Sequence, residues 1–102
     1  MQERRQAERF RLNLPARWES LLATGRAAIC DLSATGCFVL SAGRINPNEL
    51  VRLEIQFPNQ LVLLWGQNVY TVPEMGFAIR FVFSEENESR AVSKLIEELR
   101  EQ

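Results

Sequence analysis

Hydrophobic and polar positions alternate in short runs along most of this chain and switch to a helical period only near its end. From Leu14 onward the runs are separated by turn signals at intervals of about ten residues, the pattern of a small antiparallel barrel or sandwich. Six strands are predicted, over 16–23, 26–31, 37–41, 50–57, 61–72 (with an irregularity near Gly66) and 76–83. Gly25, the 33–36 turn, Asn46-Pro47-Asn48, Pro58-Asn59 and Pro73-Glu74 punctuate them. Alternation is clearest over 51–57, where Val51, Leu53, Ile55 and Phe57 share one face and Arg52, Glu54 and Gln56 the other. Near the C-terminus Val92, Leu95, Ile96 and Leu99 fall at i, i+3, i+4 and i+7, one apolar stripe on a helix predicted over 84–102. Ser84 is the expected N-cap, with Glu85 and Glu86 suited to the positive end of the helix dipole. The stripe should pack across an open end of the barrel.

The first dozen residues carry only Phe10 and Leu12 as large apolar side chains, so 1–13 is expected to be a flexible basic arm and 14–102 the barrel domain. No repeat or low-complexity linker divides the 102 residues, which are enough for a single core. Hydrophobic and charged fractions of 46% and 25% are those of an ordinary globular protein. The longest apolar run, 61–65, is strand-sized and far short of the roughly 18 residues of a membrane span, so no membrane insertion is expected. Nothing at the N-terminus resembles a secretory signal, and a cytoplasmic location is the default expectation.

A net charge of −1 conceals an asymmetry. Residues 1–26 hold Arg4, Arg5, Arg9, Arg11, Arg17 and Arg26 against Glu3, Glu8 and Glu19, whereas 84–102 is rich in glutamate. A basic front end predicts an anionic ligand or partner, and arginine in place of lysine predicts planar, geometry-specific recognition. Nucleic acid is not the expected partner, because overall near-neutrality and the acidic C-terminal segment oppose backbone-driven affinity. Without histidine or a Cys-x-x-Cys pair, the sequence offers no metal site, and it lacks both the usual general base and a phosphate-binding glycine loop. The chain is therefore expected to bind without catalysing, and to need no cofactor. Cys30 and Cys37 flank the 31–36 turn and are expected to be free thiols.

Two stretches stand out, Arg4-Arg5-Gln-Ala-Glu-Arg9 and Asp31-Leu-Ser33-Ala-Thr-Gly36. Alone, the first is a loosely paired arginine run and the second a plain polar turn. In this order, ahead of six strands and a terminal helix, they resemble the RxxxR and (D/N)xSxxG signatures of the PilZ family. Leu64-Trp65 and 73–81 are similar to that family's later strands. The resemblance implies a six-stranded antiparallel β-barrel (PilZ-like split barrel) with a C-terminal α-helix. It also implies a receptor for the dianionic second messenger cyclic di-GMP that switches conformation and signals to a protein partner. A nucleotide-independent adaptor of the same fold is the alternative.

The residue chemistry suits that ligand. Arginine's fork grips a phosphate or the O6/N7 edge of guanine, which implicates Arg5, Arg9 and Arg4. In the family, an arginine at the position of Arg4 accompanies two intercalated ligands. Asp31 and Ser33 can accept from guanine N1–H and N2–H. Gly36 can take a positive φ and admit a ligand close to the backbone. Trp65 offers a face for stacking on guanine, although a tryptophan in an apolar strand equally suits a core position, and Trp18 has a weaker claim. The effector protein is unidentified, and the sequence leaves a homodimer open.

Overall fold

The computed structural model describes residues 8–101. Six strands, β1 (Phe10–Glu19), β2 (Thr24–Leu32), β3 (Gly36–Leu40), β4 (Leu50–Gln56), β5 (Leu61–Val72) and β6 (Gly76–Val82), precede one helix, α1 (Glu86–Arg100). All pairings are antiparallel, and the order β1-β2-β3-β6-β5-β4 closes on itself through the β1–β4 pair. Closure removes the exposed sheet edges of an open sheet.

Alternation sends one face of every strand inward. Ile29, Leu32, Val39, Val51, Leu53, Ile55, Leu64 and Phe77 are fully buried, and Trp18 stands edge-on to Phe77 with ring centroids 5.6 Å apart. The indole of Trp18 donates to Ser41 Oγ at 2.8 Å, which satisfies its one polar atom inside the core. Val92, Leu95 and Ile96 of α1 join the same core, with Leu99 partly buried against it, so the predicted stripe does close the barrel.

Three local expectations need correction. The first strand starts at Phe10, so residues 10–13 belong to the barrel and not to a free arm: Phe10 pairs with Leu32 and Arg11 with Asp31. Few apolar side chains are needed there, because the ladder itself orders the segment. The irregularity in β5 lies between Asn68 and Tyr70, not near Gly66. The helix starts with Glu85 as N-cap. Ser84 instead donates its backbone N–H to the Glu88 carboxylate at 2.8 Å, a charge-assisted contact that pins the entry to the first turn.

Candidate functional site

Two β-bulges place the polar residues of the site. On β2 the inward residues are Gly25, Ala27 and Ile29, a parity that would carry Asp31 into the core. The register against β3 slips between Ile29 and Asp31, so Cys30 is the extra residue, Asp31 moves to the outer face and Leu32 returns inward. On β5 the inward residues are Val62, Leu64, Gly66 and Asn68, and the slip after Asn68 likewise turns Tyr70 outward beside Phe38, with ring centroids 6.4 Å apart.

Register then brings the two sequence signatures together. Because Phe10 pairs with Leu32, Arg9 emerges from β1 beside Asp31, and its Nη1 donates to Asp31 Oδ1 at 2.7 Å. Arg9 and Asp31 share a groove of about 630 Å³ with Arg11, Cys30, Phe38, Tyr70 and Met75. That volume lies within the range of small-molecule sites. The groove carries guanidinium donors, one carboxylate acceptor and an aromatic ledge, which together fit an anionic ligand with planar rings. Glu8, the acid within the RxxxR run, accepts from Arg100 Nε at 2.9 Å, tying the segment before β1 to the end of α1. Burial first, and the Asp31 charge second, push both the Cys30 and Cys37 thiols up, so neither is a ready thiolate; both cysteines are free.

The remaining candidates fall elsewhere. Ser33 is 1% exposed, and its Oγ accepts from the backbone N–H groups of Thr35 and Gly36, each at 3.2 Å. It holds the turn that presents Asp31. Gly36 does not use a positive φ. A Cβ there would collide with the Ile79 carbonyl of β6, so the glycine is required by strand packing and not by left-handed backbone. Trp65, 43% exposed, sits on the outer face of β5 between Arg52 and Val82 and does not line the groove. Arg4 and Arg5 lie outside the described residues. Sequence reasoning did not single out Phe38, Tyr70 or Arg11 as site residues. The signal for Tyr70 was the polar Asn68 at an inward position, which marks a strand whose alternation fails.

The comparisons agree with this architecture. A sequence model of the PilZ domain matches residues 3–100. Among solved structures, the PilZ domain with c-di-GMP of YcgR from Escherichia coli is similar with a TM-score of 0.79 at 16% identity, covering 97% of this chain and 93% of that one. The inhibitor of motility MotI/DgrA of Bacillus subtilis gives 0.78 at 18% identity, covering 98% of this chain, which spans 53% of MotI. The PilZ domain of CeSA from a cellulose-synthesizing bacterium gives 0.74 at 14% identity over 91% of this chain and 98% of that domain. No curated protein matches. A family match over nearly the whole length, on a closed six-stranded barrel capped by a helix, places this chain in the PilZ domain family.

Proposed function

We propose that this chain is a cyclic di-GMP receptor that binds the nucleotide without transforming it and passes the signal to a protein partner. One observation carries the reading: the Arg9–Asp31 contact, which unites the RxxxR and DxSxxG signatures at the rim of one groove. Arg9 supplies donors for a phosphate or the guanine O6/N7 edge, and Asp31 accepts from the opposite guanine edge. Phe38 and Tyr70 offer the stacking surface expected earlier of Trp65. Arg5 is proposed as the second arm of the clamp, with Arg4 beside it favouring two ligands per chain.

The proposed switch is a rearrangement of the segment before β1. Ligand competes with Asp31 for the Arg9 guanidinium, and the neighbouring Glu8–Arg100 pair conveys any displacement to the end of α1. Both pairs are solvent-exposed and individually weak, so ligand contacts can redistribute them readily. The receptor is proposed to act in the cytoplasm on an effector protein; no helix among the described residues is long and apolar enough to cross a membrane. Calorimetric titration with cyclic di-GMP, against cyclic di-AMP and GTP, tests the reading. Guanine-selective binding is expected, with at least tenfold loss in Arg9→Ala, since a charged hydrogen bond contributes about 1.5–3 kcal/mol. Absence of binding to all three nucleotides would leave the nucleotide-independent adaptor.

A further inference from the structure

The connections β1–β2, β3–β4 and β5–β6 all lie at the end of the barrel opposite α1, and there the surface is unusually apolar. The β1–β2 turn is closed by Ser20 N–H donating to the Ala23 carbonyl at 2.8 Å. Its tip consists of Leu21 and Leu22, 90% and 85% exposed. Tight turns favour glycine, proline, asparagine and aspartate. Two leucines at the tip contribute almost nothing to their own chain's core and expose apolar surface at the point of greatest reach.

At the same end, the 41–49 loop and the β5–β6 hairpin frame a second groove of about 890 Å³, which meets the nucleotide groove at Tyr70 and Val72 and whose apolar wall includes Ile45, Pro47, Val69 and Pro73. The two features are held in fixed relation by Trp18: its ring lies against Gly25, beyond the turn, and against Gly43, at the groove's edge, and its Nε1–H donates to Ser41 Oγ. The leucine tip touches almost nothing of its own chain, so it leaves that groove unfilled.

We infer that the leucine tip of one chain seats in this groove of a second copy, and the second copy's tip in the first, about a two-fold axis. A protrusion and a recess on one rigid end are what an isologous contact requires, because each chain then supplies both halves and the association closes at two. Charge complements the exchange. Arg17 and Arg26 face each other across the base of the hairpin, both exposed, while Glu19 beside them already pairs with Arg52 at 3.2 Å. The exposed Glu74 on the groove rim of a second copy is the opposite-sign partner those two arginines lack within the hairpin.

Sedimentation velocity of the full chain across micromolar to sub-millimolar concentration tests this, with Leu21→Glu/Leu22→Glu altering the tip and Val69→Glu the groove. All three positions are exposed, and unchanged thermal melting of each variant confirms an intact fold. A wild-type dimer weakened at least tenfold by each of the two variants is the expected result. A wild type monomeric throughout overturns the inference, as does a dimer indifferent to both variants. Loss of the dimer through the tip alone overturns the groove assignment, and a monomer that co-sediments with phosphatidylglycerol vesicles through the leucines reassigns the tip to lipid. Cyclic di-GMP affinity of the Leu21→Glu/Leu22→Glu variant, measured in parallel, is expected to be unaltered, because neither leucine lines the nucleotide groove.

Discussion

Ser33→Ala separates two roles that the DxSxxG signature leaves confounded. If the hydroxyl were a guanine acceptor, its loss would chiefly weaken binding; the structure gives it a different task. Ser33 Oγ accepts from Thr35 N–H and Gly36 N–H at 3.2 Å and lies within 3.3 Å of both Gly36 O and Thr35 Oγ1, while Ser33 N–H donates to the Gly36 carbonyl at 2.9 Å. Thr35 is exposed, so water can replace the lost acceptor there; Gly36 is buried, so water cannot. Leaving a buried donor without its acceptor costs about 1–3 kcal/mol, and the long geometry points to the lower half, about 1–2 kcal/mol. For a domain of this size that lowers Tm by about 5–15 °C. Measured by thermal denaturation and by calorimetry well below Tm, Ser33→Ala should lose stability by that amount and less than tenfold in cyclic di-GMP affinity. An unchanged Tm combined with a tenfold or larger loss of affinity would refute the turn role and restore the hydroxyl to the ligand.

Three further outcomes are expected. Tyr70→Ala should weaken nucleotide binding by at least about fivefold, a stacked base contributing about 1–3 kcal/mol, while Trp65→Phe leaves it unchanged; calorimetry with each variant decides between them. Asn68 is fully buried, and its Nδ2 donates to the Ile45 and Asn46 carbonyls at 3.3 and 3.0 Å, so Asn68→Ala should destabilise the fold by about 2–3 kcal/mol in urea denaturation by freeing the 41–49 loop. Burial raises the Cys37 thiol in the folded chain, which favours the neutral form. Its contribution to stability is therefore intact below the unfolded value of about 8.5 and is lost as pH rises beyond it, at up to about 1.4 kcal/mol per pH unit. Cys37→Ala should reduce the alkaline slope of the urea midpoint, leaving the part due to Cys30, whose thiol is also raised in the folded chain.

The period of the apolar residues was sufficient to predict six strands and a helix, although the first strand, expected over 16–23, in fact runs Phe10–Glu19, with 20–23 forming the turn. Alternation over 51–57 and the i, i+3, i+4, i+7 stripe of α1 are local consequences of where side chains point on each element. The order of charges likewise showed an arginine-rich front end and a glutamate-rich C-terminal segment. Only the tertiary structure decided which candidate residues meet. The bulges at Cys30 and after Asn68 reverse inward and outward faces, and a one-residue slip is invisible to a periodic reading because it depends on the partner strand. Those slips bring Asp31 and Tyr70 to the groove, whereas Trp65, on a regular stretch of the same strand as Tyr70, faces solvent elsewhere. Gly36 shows the same division: its place in a motif is read from sequence, but the carbonyl of Ile79 that forbids a side chain there comes from a strand more than forty residues away.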